Sequence, residues 1–371
     1  MYDTVIIRYG EIFLKSEYVK NRFEDMLVDN VQRRLSQSAL SARVYRKRHR
    51  IYLRTDQAEE VATVLKTVYG IVSASPAKEA KAEIDDISSA ALEVAGKVIS
   101  PGDSFAVRAE RSGRHAFSSK DVEVAVGGRI LEMMDAKVYL DDPAKTIYIE
   151  VRDDIAYVYD RKIRGLGGLP YGSQGRLIAL VSTGIDSPVA AWMMMRRGCR
   201  ITVLHMGETD EIAEVVGRLE SYAGEKIRVY SVPYDAILGR ISEHAGKYTC
   251  VVCKRFMHRL AEKLMEKEGA AGIVSGENIG QVASQTLENL QVIDCLKAPV
   301  YRPLVALDKE DIIKIAKDIG TYPLAKPGRC KYVPHSPSTQ AREDAVRRIE
   351  DVIGIEDLIE DAFNSHILKN G

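Results

Sequence analysis

Long apolar runs are missing from this sequence. No stretch approaches the ~18 consecutive apolar residues that a membrane-spanning helix needs, so no membrane partner is expected. Cysteine is scarce, five in 371 residues, and Met1-Tyr2-Asp3-Thr4 does not read as a signal peptide. Both points argue against a disulfide framework and for a reducing, cytoplasmic setting. Net charge is absent too: 53 Lys and Arg balance 53 Asp and Glu, so total charge identifies no partner. What remains is the composition of a soluble globular protein, long enough for two or three domains.

What the chain does have is Leu180-Val181-Ser182-Thr183-Gly184-Ile185-Asp186-Ser187-Pro188. Residues 177–181 read as a buried strand of a parallel sheet. Ser182 to Ser187 form a short polar loop, and Pro188 fits the first turn of a helix, where its missing N–H is no loss. Strand, tight loop and helix N-terminus together make an anion site, because free N–H groups and the helix dipole both favour a phosphate. The loop lacks the lysine of GxxxxGK[ST] and is not a Walker P-loop. It resembles the SGGxDS loop of the PP-loop ATP pyrophosphatases, which cut ATP between its α and β phosphates and adenylate a substrate. Thr183 stands where that pattern has glycine, so either the loop needs no positive φ there or the phosphate is held differently. The plain alternative is an ordinary βα turn in a nucleotide-free domain.

The rest of the chain divides around this loop. Residues 1–56 read as a strand (Val5-Ile6-Ile7), a helix over 16–35 and a hairpin over 42–53. The hairpin concentrates Arg46, Lys47, Arg48 and Arg50 among Tyr45, His49 and Tyr52, a pattern suited either to a phosphate backbone or to a sheet edge guarded by charge. Residues 57–164 read as helices over 59–68, 84–99 and 118–134, alternating with strands. Arg108, Arg111 and Arg114 sit at a strand end and its loop, where they could grip phosphates. Glycine-rich residues 165–175 form a linker. From residue 176 strands and helices alternate, which predicts a mostly parallel sheet whose ligand lies beyond the carboxyl ends of its strands. His205-Met206 and Gly276-Glu277-Asn278 end two of those strands. Residues 338–368 are expected to be helical and to pack on the outside.

Three segments carry a wider resemblance: residues 167–190 with the loop, Cys253-Lys254-Arg255-Phe256-Met257-His258-Arg259, and the long run from Gly276 to Asn289. Together they resemble the ThiI family, the tRNA uracil 4-sulfurtransferases. Phe105 to Ser119 resembles a THUMP domain. The resemblance implies an α/β fold class: an N-terminal ferredoxin-like domain over 1–56, a THUMP RNA-binding domain over 57–164, and a PP-loop ATP pyrophosphatase domain over 176–371. It implies adenylation of uracil O4 at position 8 of tRNA, followed by displacement of AMP by sulfur to give 4-thiouridine. ATP contacts would fall on Leu180, Val181, Ser182, Thr183, Gly184, Ser187, His205, Met206, Lys254, Gly276 and Gln285. Asp186 would orient Mg²⁺ or aid adenylation. Two rivals are a PP-loop thiolase of another base and a tRNA-binding protein that has lost catalysis.

The sulfur half of the reaction turns on cysteine. Cys250-Val-Val-Cys253 reads as a buried structural pair, a redox pair or a ligand pair. By the resemblance, Cys330 matches the sulfur-carrying catalytic cysteine, and Lys326, Arg329 and Lys331 would favour its thiolate. Some relatives add a rhodanese domain and also feed thiamine synthesis. None is expected here, since the chain ends after the PP-loop part. In relatives of that form Cys250, Cys253 and Cys330 would hold an iron–sulfur cluster. Zinc is the competitor, with His258 or His335 as fourth ligand. The sulfur donor would be sulfide or an external persulfide carrier, and the family suggests a homodimer.

Overall fold

The structure is a computed structural model that describes residues 1–47, 50–326, 330–366 and 368–370. Arg48, His49 and Arg329 lie outside the described residues. The chain forms two compact units, Met1–Leu169 and Pro170–Gly371. Among the described residues no helix is long and apolar enough to cross a membrane.

In the first unit the elements run β1 (Thr4–Tyr9), α1 (Glu17–Gln37), β2 (Arg43–Lys47), β3 (Arg50–Arg54), α2 (Ala58–Leu65), β4 (Ile71–Lys81), α3 (Ile84–Val98) and β5 (Ser104–Ser112). Then follow α4 (Ser119–Met133), β6 (Lys137–Val138), β7 (Lys145–Arg152), β8 (Ile155–Tyr159) and β9 (Ile163–Arg164). They build one sheet of order β2-β3-β1-β4-β8-β7-β5-β6, with β9 also on β4. The helix α1 buries Phe23, Leu27, Val31 and Leu35, an i, i+4 stripe that lies on one face of a helix. Ser118 and Asp121 close α4 with a reciprocal capping box.

The residue-56 boundary read from the sequence cuts this sheet at an instructive place. β4 pairs with β1 through Ile71 to Ala77 and with β8 through Lys78 to Lys81. One long strand therefore serves both halves. Without it, one edge of β1 would be left unpaired.

The second unit runs β10 (Arg176–Leu180), α5 (Asp186–Arg196), β11 (Arg200–Met206), α6 (Thr209–Ala223), β12 (Val229–Val232), α7 (Asp235–Ala245) and α8 (Thr249–Glu268). It continues with β13 (Ile273–Val274), α9 (Leu287–Ile293), β14 (Val300–Tyr301), α10 (Lys309–Asp318), α11 (Glu343–Ile353), α12 (Ile355–Asp361) and β15 (Leu368–Asn370). Sheet order is β14-β13-β10-β11-β12-β15. Every pair is parallel except β12 with β15, which adds an antiparallel edge to the expected sheet. The chain leaves β10 for β11 on one side and later places β13 on the other. That reversal opens a crevice at the carboxyl end of β10.

The helix α8 starts at Thr249, which puts Cys250 and Cys253 on its first turns. The segment expected on the outside instead sends Val346, Ile353, Ile355 and Ile359 into the core against α7 and α8, broken by Gly354 at φ +63°.

Candidate functional site

The crevice holds a cavity of about 250 Å³. Its walls come from four places: the β10–α5 loop, the end of β11, the outer turns of α8 and the residues after β13. Of the residues singled out in the sequence, Leu180, Val181, Ser182, Gly184, Asp186, Ser187, His205, Met206, Lys254 and Gly276 line it. Thr183 and Gln285 do not. Thr183 accepts a hydrogen bond from the Lys326 N–H (2.9 Å) through its carbonyl, tying the loop to the segment that leads to Cys330. Gln285 is buried in a short turn, and its Oε1 has no partner among the described residues.

The loop is held by its own hydroxyls. The Ser182 N–H donates to Ser187 Oγ (2.9 Å), the two hydroxyls meet at 3.0 Å, and the Gly184 N–H points at Ser182 Oγ (3.3 Å). Neither Thr183 nor Gly184 has a positive φ, so a β-branched residue is tolerated where the family pattern has glycine. The required glycine is elsewhere. A Cβ on Gly276 would lie 2.8 Å from the Ser187 nitrogen and 2.9 Å from its Cα, so only glycine lets the strand end approach the helix N-terminus. At the end of β11, one ring nitrogen of His205 bonds to the Val181 carbonyl (2.9 Å), locking two strand ends together.

Asp186, the first residue of α5, accepts from Lys309 Nζ (2.5 Å) and from Gln281 Nε2 (2.8 Å). Glu277 is buried and accepts from Lys254 Nζ (2.8 Å) and Arg302 Nε (2.7 Å). His258 Nε2 lies 3.9 Å from it. Burial would raise the Glu277 carboxyl, but Lys254, His258 and Arg302 outweigh it and hold the group at about 2. Burial pushes His258 down to about 4, against the pull of Glu277, so the imidazole is neutral near pH 7. Glu277, Gln281, Arg302 and Lys309 were not singled out from the sequence. Glu277 and Gln281 lay within the Gly276–Asn289 run without a role of their own, and Arg302 and Lys309 carried only the signal of following a strand and opening a helix.

His258 lines the cavity wall with its Nε2 toward Glu277. Cys250, Cys253 and Cys330 form no disulfide. Cys250 and Cys253 sit at i, i+3 on α8, and a charge on Cys330 is felt at both. Burial pushes the Cys253 thiol up to about 12, although the Tyr234 hydroxyl donates to its Sγ at 3.2 Å. Among the described residues no three His, Cys, Asp or Glu are drawn together as a metal nest. Lys331 is engaged with Asp235 (2.9 Å) rather than with Cys330.

In the first unit several basic side chains are already engaged. Arg46 pairs with Asp25, Lys47 with Asp154 (2.7 Å), and Arg50 faces Glu150 (3.9 Å). Behind them Tyr45, Tyr52 and Tyr157 stack, with ring centroids 5.3 and 4.6 Å apart. Arg108 donates to the Leu140 carbonyl and Arg111 to that of Gly113 (3.2 Å). Arg114 is exposed beside His115 on the rim of a wide cavity of about 900 Å³.

Comparison with known proteins follows this layout. A family model described as Thiamine biosynthesis protein (ThiI) matches residues 172–355. A ThiI ferredoxin-like domain matches 4–75, and a THUMP domain matches 81–160. A probable tRNA sulfurtransferase of Methanobrevibacter smithii is 40% identical, with 98% of this chain and 99% of the relative covered. Another, of Methanosarcina mazei, is 37% identical over 98% of this chain and 94% of the relative. Among solved structures, a 4-thiouridine synthetase in complex with RNA and bound ATP superposes with a TM-score of 0.90, at 27% identity and full coverage of both chains. PH1313 of Pyrococcus horikoshii Ot3 superposes at 0.69, also 27% identical, over 86% of this chain and 99% of that one. The chain belongs to the ThiI family of tRNA sulfurtransferases.

Proposed function

We propose that this protein is an ATP-dependent tRNA sulfurtransferase that makes 4-thiouridine at position 8 of tRNA. The observation that carries the reading is the cavity itself: a PP-loop, the β11 end and Lys254 converge at the switch point of a parallel sheet, where a nucleotide belongs. The uracil O4 attacks the α-phosphate of ATP, pyrophosphate leaves, and a sulfur nucleophile displaces AMP at C4. The α5 N-terminus would face the phosphates, and Lys254 would offset their charge. Asp186 has the carboxylate chemistry to hold Mg²⁺, which would neutralise the leaving pyrophosphate. Thr183 has no positive φ, which supports a loop that tolerates threonine at this position.

For the sulfur, soft thiolates at Cys250, Cys253 and Cys330 suit an iron–sulfur cluster that would present sulfide to the activated base. The support is the i, i+3 spacing of Cys250 and Cys253 on α8. Iron and labile sulfide analysis of anaerobically purified protein, beside Cys250→Ala, Cys253→Ala and Cys330→Ala, tests this. Iron that falls with each substitution supports it, and an iron-free protein leaves Cys330 as a persulfide acceptor from an external carrier. Arg108, Arg111 and Arg114 are proposed to grip the tRNA backbone. A homodimer, checked by sedimentation, completes the reading. The enzyme reading is tested by tRNA-dependent release of AMP and pyrophosphate. Release that is unchanged without tRNA would contradict it.

A further inference from the structure

Glu277 sits in the wall of a cavity that has to receive a polyanion, and its side chain is only 5% exposed. A buried carboxylate beside a triphosphate is repulsive, and in a poorly solvated wall the repulsion is weakly screened. Its presence needs a compensating role, and the geometry supplies one. One oxygen takes the Lys254 ammonium at 2.8 Å and the other takes Arg302 Nε at 2.7 Å. The remaining face of the Arg302 guanidinium is turned to Asp294, which stands at the end of α9. Charges thus alternate along Asp294, Arg302, Glu277 and Lys254, and only the last lines the cavity with its cation.

We infer that Glu277 is a positioning residue for the ammonium of Lys254. This rests on the ATP reading above. Lysine carries a point charge on a flexible four-carbon stem, and nothing in the stem fixes where the charge sits. Glu277 takes one of its three N–H groups and leaves the others for ligand oxygens. Arg302, braced by Asp294, keeps Glu277 from following the lysine toward the phosphates. His258, neutral near pH 7, does not compete as a cation for the same carboxylate.

The test is a double-mutant cycle on binding of a non-hydrolysable ATP analogue and of adenosine. The proteins are the full-length wild type, Glu277→Gln, Lys254→Met and the double variant. Glu277→Gln should bind the triphosphate about tenfold more weakly, because one partner of a buried charge pair is lost. It should bind adenosine as the wild type does. The double variant should bind no more weakly than Lys254→Met alone, since the two residues act as one. Additive losses, equal losses for adenosine and the triphosphate, or no loss in Glu277→Gln would each overturn the inference. If Glu277→Gln does not fold, Arg302→Lys replaces it: charge is kept, the bridge to Asp294 and Glu277 is lost, and the same selective weakening is required. Absence of analogue binding by the wild type would overturn the ATP reading, and the inference with it.

Discussion

Asp186 and Lys309, 123 residues apart in sequence, meet at 2.5 Å at the mouth of the cavity. Each is the first residue of its helix, so the contact ties the start of α10 to the start of α5. Gln281 takes the other oxygen of Asp186 and fixes its orientation. A carboxylate held in this way is preset for a cation or a phosphate that arrives with one.

Substitutions around this pair should form a graded series in tRNA-dependent AMP formation. Asp186→Asn removes the charge and should lower the rate by about a hundredfold or more. Lys309→Met should lower it by about tenfold, and Gln281→Ala by a few-fold, since orientation alone is lost. An Asp186→Asn protein with the wild-type rate would remove Asp186 from the chemistry.

Gly276→Ala should damage the loop without touching any polar group. Its new methyl meets main-chain atoms of Ser187, which cannot swing aside as a side chain would. The expected cost is about 2 kcal/mol of stability, read as a lower urea midpoint, together with loss of nucleotide binding. Wild-type stability and binding would show that the β13 end and α5 are not as tightly apposed as described.

Much of this site was legible in the sequence, and the reason is local. The strand, the loop and Pro188 are contiguous, and each residue's role follows from its neighbours in the chain. Ser182 and Asp186 were placed at the loop that way, whereas Lys254 came only from the resemblance of the segment that contains it. Glu277, Arg302 and Lys309 were not singled out, because their roles exist only through partners tens of residues away. Nothing in the sequence alone says that Glu277 is buried between two cations, or that Arg302 follows a two-residue strand. The same reason explains the fold. The β10–α5 unit was readable, whereas the sharing of β4 between β1 and β8 is a pairing fact with no local signature.

The buried imidazole of His258 gives stability a defined pH dependence. Its folded pKa is about 4, lowered from the ordinary 6.5 by burial. Between those values the unfolded chain binds the proton and the folded one does not. Stability is therefore fully present above pH 6.5 and is lost as pH falls toward 4. The loss should reach about 2 kcal/mol between pH 7 and pH 5. The charged groups that act on the ring are Glu277, Arg302, Asp294 and Lys254. Urea melts of the wild type beside His258→Gln isolate the effect, and the variant should show a flatter profile. Parallel profiles would contradict it.

Arginines that are already paired should matter less to RNA than exposed ones. Arg46 is engaged with Asp25, whereas Arg114 is exposed at its loop. Arg114→Ala should weaken tRNA binding and reduce the salt slope of log Kd by about one, while Arg46→Ala should change both less. The reverse order would move the RNA path from the β5–α4 loop to the β2–β3 hairpin.

The most direct test of the whole account is nucleoside mass spectrometry of tRNA after incubation with the protein, ATP, Mg²⁺ and sulfide. The account predicts that one uridine, at position 8, exchanges an oxygen for a sulfur, that ATP is required, and that Asp186→Asn leaves the tRNA unchanged. An unmodified tRNA in a reaction that consumes ATP, or sulfur on another base, would contradict it.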